Sequence, residues 1–387
     1  MGKHSLRIAI IGPNMNWAKQ DVEFLKSKGF DAILISDNYF SILRNLHNII
    51  NSDIIFEWFA FPLGVFLGKA FNKIVVLNAV GWEFFEFGYA SNWYRKLLIE
   101  IGLKNADKIV AISRKSLKLA KEVYNSENSE VIYEAINTKK FGFKKYNYKK
   151  EIQEIKVTTI AHLHYINIIR KDLITLIKSI YYIINKLPNV KFIFIGNITK
   201  DASVLSKIAE QLKVSRYIEF KGFVDDDKLL EILKSSDLFV MPSLYEGFPT
   251  VLSEALSCGI PVVTTNRPTM NEIFKNNIHA IMVEPRDPKM LADAIIGVIS
   301  DKKQSLKLAI NGRRLIESRY SEKIRAEKLE KVFTALKKKK NNRKFKLLSI
   351  TYFIILMLIL LILPIERLID SIRKPTEDKL LQGFLSI

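Results

Sequence analysis

Short, almost wholly apolar runs recur along this chain and are separated by longer stretches in which apolar residues lie three or four positions apart. Apolar runs of this kind are typical of parallel strands covered on both faces, and the wider spacing is typical of amphipathic helices. Strands that alternate with helices predict an α/β fold built on parallel sheets. In the first part of the chain the predicted strands are 6–11, 31–35, 53–59, 73–80, 108–112 and 130–136.

A second series of the same kind follows a lysine-rich stretch at 141–156 that contains few aliphatic residues. Such a composition is typical of a linker. We therefore expect an N-terminal domain at 1–140 and a C-terminal domain at 157–336. A helix is predicted at 171–187, where Pro188 stops it. The strands predicted in the second domain are 156–161, 190–196, 217–222, 238–241, 262–265 and 280–283.

The most informative stretch is 237–265, DLFVMPSLYEGFPTVLSEALSCGIPVVTT. It predicts a strand, a turn at Glu246-Gly247-Phe248-Pro249, a short helix and a further strand. Ligands bind at such strand-to-helix turns, because the first N–H groups of a helix lack intrahelical partners and attract anions. Glu246 and Glu254 flank this anion site, and carboxylates repel phosphate, so we expect them to bind neutral hydroxyls. An anion beside two hydroxyl-binding carboxylates matches a sugar nucleotide.

The same residues resemble a known signature. Glu246 and Glu254, separated by seven residues, with the Gly247-Phe248-Pro249 turn, are similar to the E-x7-E motif of retaining glycosyltransferases of the family 4 type, which have the GT-B fold. The resemblance implies that Glu254 holds the ribose of the donor and that Glu246 is a catalytic residue at the donor sugar. It also implies phosphate binding by the backbone of Thr250 and Val251. Gly247 and Phe248 are expected to bind the donor as well. Pro249 departs from the Gly of many relatives and removes one N–H donor.

The resemblance also implies cations at the diphosphate. Relatives place a Lys at the start of the first helix of the second domain, and Lys171 matches it, beside Arg170. Cations there stabilise the charge that grows on the leaving diphosphate. The Arg that relatives carry earlier in this loop is replaced by His162; His162, His164 or Arg170 are the candidates to compensate. Gly222 and Phe223 match a segment that lies against the nucleotide base. No metal or other cofactor is expected.

In the first domain, Glu83 follows a predicted strand end and is a candidate contact of the acceptor or sugar. A solvated loop carboxylate is the alternative interpretation. The first strand-to-helix turn lacks G-x-G-x-x-G, which argues against a nicotinamide-dependent oxidoreductase.

Composition changes this interpretation at two points. The net charge of +20 is compatible with nucleic acid, anionic lipid or a basic surface. No recognisable nucleic-acid module accompanies it, so a nucleic-acid partner is not expected. The single cysteine permits no internal disulfide.

The apolar run near the N-terminus is too short for a signal peptide, so the catalytic domains are expected in the cytoplasm.

The composition changes sharply after residue 336. Residues 337–346 are strongly basic, residues 347–365 contain no charge, and a tail follows at 366–387. About 20 apolar residues are needed to cross a bilayer as a helix, so 347–365 is predicted to be a transmembrane helix. The positive-inside rule places the basic segment on the cytoplasmic side. We therefore expect a membrane-anchored protein with cytoplasmic catalytic domains.

The sequence as a whole predicts a GT-B protein with two Rossmann-like domains, an interdomain cleft and a C-terminal hydrophobic membrane segment. The expected function is sugar transfer, with retention of anomeric configuration, from a UDP- or GDP-sugar to a glycan or lipid-linked acceptor at the membrane. The alternative is a non-catalytic protein of the same fold that binds sugar nucleotide or acts as a membrane-anchored scaffold. The missing Arg at His162 motivates this alternative.

Overall fold

The structure is a computed structural model, and it describes residues 6–59, 62–84, 93–143 and 154–340. The described chain divides into two compact units. Unit 1 contains the residues up to Ala135 together with the helix that begins at Glu322, and unit 2 runs from Ile136 to Ser321.

Unit 1 is built on a six-stranded sheet in the order β2-β1-β3-β4-β5-β6, in which all neighbouring strands are parallel. Most positions of these strands are buried, as expected for a sheet covered by helices on both faces. The strand order reverses between β1 and β3. The strands are β1 (Arg7–Gly12), β2 (Asp31–Ser36), β3 (Ile54–Trp58), β4 (Ile74–Ala79), β5 (Lys108–Ala111) and β6 (Ser129–Val131).

Six helices connect and cover these strands. Two separate groups of buried side chains lie between helices and sheet, one around Phe66 and one around Leu103. Local signals begin some of the helices: the side chain of Ser113 accepts a hydrogen bond from the backbone N–H of Ser116. The helices are α1 (Asn16–Ser27), α2 (Tyr39–Arg44), α3 (Leu46–Asn51), α4 (Pro62–Ala70), α5 (Trp93–Asn105) and α6 (Arg114–Val123).

Unit 2 has a second six-stranded parallel sheet, in the order β12-β11-β10-β7-β8-β9. The order reverses between β7 and β10, and ligands of open α/β sheets bind at the carboxyl ends of the strands at such a point. The predicted strands of this domain are found at these positions. They are β7 (Ile155–Ile160), β8 (Val190–Ile195), β9 (Ile218–Gly222), β10 (Leu238–Met241), β11 (Val262–Thr265) and β12 (Ile281–Val283).

The helices of unit 2 include the one predicted after Pro249 and one that begins at Pro288, after Asp287. Asp287 caps the latter by accepting a hydrogen bond from the backbone N–H of Met290 at 2.8 Å. The helix predicted at 171–187 is found at Leu173–Ile183, and a separate short helix at Tyr165–Arg170 precedes it. Asp172, in a left-handed conformation (φ 48°), lies between the two. The helices are α7 (Tyr165–Arg170), α8 (Leu173–Ile183), α9 (Ser203–Gln211), α10 (Asp226–Ser235), α11 (Thr250–Ser257), α12 (Pro268–Ile273), α13 (Pro288–Ser300) and α14 (Lys302–Arg319).

The last described helix, α15 (Glu322–Lys340), belongs to unit 1 although it follows unit 2 in the chain. A buried ion pair fixes it there: Arg325 donates from Nε and Nη2 to the two carboxylate oxygens of Asp21 at 2.6 and 2.8 Å. Both side chains are almost fully buried, at 2% and 1% exposure. The remaining guanidinium nitrogen donates to the carbonyls of Ile132 and Tyr133.

The predicted C-terminal membrane element requires correction. Within residues 6–340, with the gaps given above, no helix is both long and apolar enough to cross a membrane. The segments 347–365 and 366–387 lie outside the described residues. The start of the basic segment is the last turn of α15, where Lys337 pairs with Asp53 at 2.5 Å. The fold of the described residues is therefore two parallel-sheet α/β units, and none of their helices could span a membrane.

Candidate active site

The loop between β10 and α11 carries the predicted motif and lies next to the reversal point of the unit 2 sheet. Side chains that follow β11 hold its backbone. Thr269 donates to the carbonyl of Glu246 at 2.8 Å, and Arg267 donates to the carbonyl of Leu244 at 2.9 Å. The hydroxyl of Thr265 donates to the carbonyl of Ser243. These bonds fix the position from which Glu246 projects.

Glu246 is mostly buried, with 9% of its side chain exposed. Its Oε2 accepts a hydrogen bond from Arg170 Nη1 at 2.6 Å, and its Oε1 accepts one from the hydroxyl of Ser243 at 3.0 Å. The structure thus brings together two predicted site residues that are 76 positions apart in the chain. Each oxygen of the carboxylate therefore has a hydrogen-bond partner within unit 2.

Lys171 lies at the reversal point itself. Its Nζ donates to the carbonyl of Ile160, the last residue of β7, at 2.8 Å, and lies 3.7 Å from the sulfur of Met241, the last residue of β10. The side chain is almost fully buried. Burial lowers the pKa of Lys171 from 10.5 to about 8, and the neighbouring carboxylates of Glu246 and Glu254 oppose this shift. Lys171 is therefore a cation held among the predicted site carboxylates.

Glu254 lies in the second turn of α11, half-buried. α11 begins at Thr250, and no side chain caps it, because Pro249 stands at the capping position. The N–H of Thr250 donates to the carbonyl of Phe248 at 2.9 Å. The backbone N–H groups of Thr250 and Val251 were predicted to bind phosphate. The N–H of Val251 lies in the first turn of α11, where N–H groups have no intrahelical acceptor. Gly247 is half-buried at the turn before the helix.

Phe248 points into the interior of unit 2. Its side chain is 4% exposed, and its ring lies 5.6 Å from that of Tyr320 in an edge-to-face arrangement. It therefore fixes the turn by packing.

The two histidines of the loop after β7 lie on the same side of the sheet as Lys171. His162 is exposed, and its Nδ1 accepts from the backbone N–H of Asn197 at 3.4 Å. Burial, followed by the charge of Lys171, lowers the pKa of His162. Burial also lowers the pKa of His164. Both imidazoles are therefore mainly neutral at pH 7 and supply little positive charge for a diphosphate.

Gly222 is the last residue of β9, at the carboxyl edge of the same sheet, and Phe223 follows it. Gly222 has a left-handed conformation (φ 72°) that a side chain would strain, and its carbonyl accepts from the N–H of Gly196 at 2.9 Å. Phe223 is 72% exposed, so its ring is accessible to a ligand. The structure thus places both residues at the edge where the candidate donor contacts lie.

Glu83 lies in unit 1 and is almost fully buried, at 1% exposure. Its carboxylate accepts hydrogen bonds from the N–H groups of Val80 and Gly81 at 2.9 and 2.8 Å. The residue thus closes the turn after β4. Neither a solvated carboxylate nor an open ligand contact describes this geometry, and a role towards an acceptor stays a prediction.

Sequence reasoning did not identify Ser243 and Asn167. Ser243 holds Glu246, and the side-chain oxygen of Asn167 accepts hydrogen bonds from Nε and Nη2 of Arg170 at 3.2 and 3.0 Å. The position of Ser243, three residues before Glu246 in the same loop, could have indicated that it belongs to the site. Nothing in the sequence around Asn167 indicated a role in the site. Among the described residues, no group of three or more His, Cys, Asp or Glu side chains is placed to hold a metal ion.

Comparison with known proteins finds similarity to glycosyltransferases in sequence and in fold. Residues 148–315 match the family described as Glycosyl transferases group 1. The crystal structure of Anabaena Alr3699/HepE in complex with UDP and glucose superposes with a TM-score of 0.70 over 85% of this chain and 100% of that one, at 14% identity. A glycosyltransferase from Rickettsia africae gives a TM-score of 0.70 over 88% of this chain and 100% of that one, at 18% identity. The two parallel-sheet units are thus consistent with the GT-B fold.

Sequence similarity adds a relative of undetermined specificity, the uncharacterized glycosyltransferase MJ1607 of Methanocaldococcus jannaschii. It is 27% identical over 224 residues, which are 55% of this chain and 56% of the relative. This chain thus spans little more than half the length of that relative.

Proposed function

We propose that this protein is a retaining glycosyltransferase of the family 4 type, which transfers a sugar from a UDP- or GDP-sugar to an acceptor. The observation that carries the proposal is the cluster of Glu246, Glu254, Arg170 and Lys171 around the reversal point of the unit 2 sheet. Carboxylates for hydroxyls and cations for a diphosphate are the groups that a nucleotide sugar requires. The match of this unit to Glycosyl transferases group 1 supports the same conclusion.

The proposed roles follow the chemistry of each group. Glu246 accepts a hydrogen bond from a hydroxyl of the donor sugar, and Glu254 accepts from the ribose. Lys171 and the N–H of Val251 bind the diphosphate and stabilise the charge that develops as it leaves. The departing phosphate takes the proton of the acceptor hydroxyl. In this mechanism the diphosphate charge is balanced by side chains and helix N–H groups, without a metal ion.

The proposed acceptor is a glycan or a lipid-linked glycan. HepE binds UDP and glucose in its crystal structure, which supports a UDP-sugar as the first donor to test. No contact among the described residues identifies the acceptor, so it has to be found by assay.

The first experiment measures binding of UDP, GDP and ADP and of their sugar conjugates by thermal shift and calorimetry. A ligand that binds only the folded state raises the melting temperature. We expect one nucleotide to stabilise the parent protein and the E254A variant to lose this stabilisation. Glu210, an exposed residue on α9, provides the control variant E210A, which should respond as the parent does. Equal stabilisation of E254A and the parent would exclude the proposed ribose contact.

The second experiment measures transfer with the donor so identified. Product formation that persists in excess EDTA and yields the donor's own anomeric configuration by NMR is the expected result. Inversion of the anomer would refute the retaining mechanism, and loss of activity in EDTA would refute a mechanism without a metal.

A non-catalytic sugar-nucleotide-binding protein is the second candidate. The observation that favours it is the pairing of Glu246 with Arg170, together with a neutral His162 where relatives carry Arg. This candidate predicts nucleotide binding without transfer to any acceptor. Hydrolysis or transfer that is lost in E246A would exclude it.

A further inference from the structure

Arg170 joins two elements of unit 2 through its side chain and its backbone. Its Nε and Nη2 donate to the side-chain oxygen of Asn167, on the same helix, α7. Its Nη1 donates to the carbonyl of Tyr245 at 3.2 Å, and its own carbonyl accepts from the N–H of Leu244 at 2.8 Å. Arg170 therefore ties the end of α7 to the β10–α11 loop that carries Glu246.

The same guanidinium determines how the Glu246 carboxylate is oriented. The Arg170 Nη1 to Glu246 Oε2 distance is 2.6 Å, and the hydroxyl of Ser243 holds the other oxygen. A charged hydrogen bond of this length is stronger than a neutral one. The carboxylate is thus held at Oε1 by Ser243 and at Oε2 by Arg170, so only Oε2 depends on Arg170.

Arg170 is also within reach of an incoming anion. Its side chain is 22% exposed, against 9% for Glu246. Its five N–H donors make four hydrogen bonds to residues in the described part of the chain, so one donor is left for a further oxygen there. Arg170 and Lys171 repel each other, and this repulsion adds to burial in lowering the pKa of Lys171. An anion beside both cations would relieve the repulsion.

We infer that Arg170 is a positioning residue shared between Glu246 and the donor diphosphate. The inference rests on the proposed function. The guanidinium holds Glu246 through its Nη1. When the diphosphate binds beside Lys171, the guanidinium directs part of its donors to the phosphate oxygens, and Oε2 of Glu246 becomes available to the sugar hydroxyl. The planar guanidinium can serve both anions because its donors point in several fixed directions.

A double-mutant cycle with UDP and GDP as probes tests this inference without any need for turnover. R170A should bind the preferred nucleoside diphosphate about tenfold more weakly than the parent. E246A should bind it more tightly, by about tenfold, because Arg170 is then free to bind phosphate. The double variant should bind as R170A does, since the gain in E246A requires Arg170. Arg314, an exposed residue on α14, provides the control R314A, which should bind as the parent does.

Each other outcome contradicts the inference in a recognisable way. If E246A and the parent bind the nucleotide with equal affinity, or if the two substitutions have additive effects, Arg170 is not shared between Glu246 and the diphosphate. A parent that binds neither UDP nor GDP refutes the proposed function, and the inference with it. If R170A does not melt cooperatively, R170K replaces it in the cycle. Lysine keeps the charge without the planar arrangement of donors, so R170K should bind between the parent and R170A; parent-like binding by R170K together with an unchanged kcat would overturn the inference.

Adding guanidinium ions to R170A provides a readout that a purely structural role would not give. With a donor and acceptor in hand, millimolar guanidinium should restore part of the lost kcat of R170A, while the R314A control stays unchanged. A kcat that guanidinium leaves at the R170A level would count against a role for the charge at Glu246.

Discussion

Replacing Lys171 by methionine should stabilise unit 2 while it abolishes nucleotide binding. The Lys171 side chain is 6% exposed, and its ammonium group has a single carbonyl partner, Ile160, and the sulfur of Met241. Methionine keeps the length of the stem and removes the buried charge. Stability and binding should therefore change in opposite directions, which is expected of a residue retained for binding.

The magnitude follows from the depressed pKa of Lys171, about 8 in the folded protein against 10.5 for an ordinary lysine. Below pH 8 both the folded and the unfolded chain hold the proton, and the folded state bears the full cost of the buried charge. This cost, about 3 kcal/mol, falls as the pH rises from 8 to 10.5, because the folded protein releases the proton first. Loss of the hydrogen bond to Ile160 subtracts about 1 kcal/mol. K171M should thus be about 2 kcal/mol more stable at pH 7, with no gain left above pH 10.5.

The two units can be followed separately by spectroscopy. All four tryptophans lie at positions 17, 58, 82 and 93, in unit 1, so tryptophan fluorescence reports unfolding of unit 1. Circular dichroism reports both units. Unfolding of unit 2 is therefore the transition seen by dichroism and not by fluorescence. In urea, K171M should move this transition to a higher denaturant concentration at pH 7, and by a smaller amount at pH 10. Lys178, exposed on α8, gives the control K178M, which should not show this pH-dependent gain.

A K171M protein that is less stable than the parent at pH 7, or whose gain is the same at pH 7 and pH 10, would refute the reasoning from buried charge. Retention of UDP or GDP affinity in K171M would separately refute the diphosphate role. The two measurements are independent, so each part of the reasoning can fail alone.

Three further changes test the structure elsewhere. D21N should destabilise unit 1 by about 3 kcal/mol, seen as an earlier tryptophan transition, because it leaves the buried Arg325 without its charge partner; an unchanged transition would contradict that pairing. G196A should destabilise unit 2, seen by circular dichroism, because a Cβ would lie 2.1 Å from the carbonyl oxygen of Ala161 and φ is 141°. E83A should cost unit 1 about 2 kcal/mol, since two backbone N–H groups lose their acceptor; unchanged stability with lost transfer would instead support the acceptor role.

The strands were predictable because a strand buried on both faces is a nearly continuous run of apolar residues in the sequence. β8 and β10 are flanked by turn signals and consist mainly of apolar residues, so their limits could be predicted to within about two residues. The helix predicted at 171–187 corresponds to α8, which begins at Leu173 and ends at Ile183. The helix before it, α7, was not predicted, because its six residues are too few to show a helical repeat of apolar positions.

Individual residues of the site could be predicted from the sequence, but the contacts between residues far apart in the chain could not. Glu246 and Glu254 could be chosen because they lie in one short motif. Their partners could not, since the pair between Glu246 and Arg170 joins positions 76 apart in the chain. Arg170 was a candidate because it precedes Lys171, but only the parallel pairing of β7 with β10 shows that it reaches Glu246.

The charges of the site explain why this pairing matters for a diphosphate. Arg170 and Lys171 balance Glu246 and Glu254, so the four side chains sum to zero, and the neighbouring histidines have lowered pKa values and add little charge. A diphosphate brings about two negative charges, so it has to compete with Glu246 for Arg170, which is already paired. A sugar hydroxyl then takes the place of the guanidinium on Glu246. Donor binding therefore replaces the bond between Arg170 and Glu246 by two others, from Arg170 to phosphate and from a sugar hydroxyl to Glu246. A diphosphate without its sugar can form only the first of these.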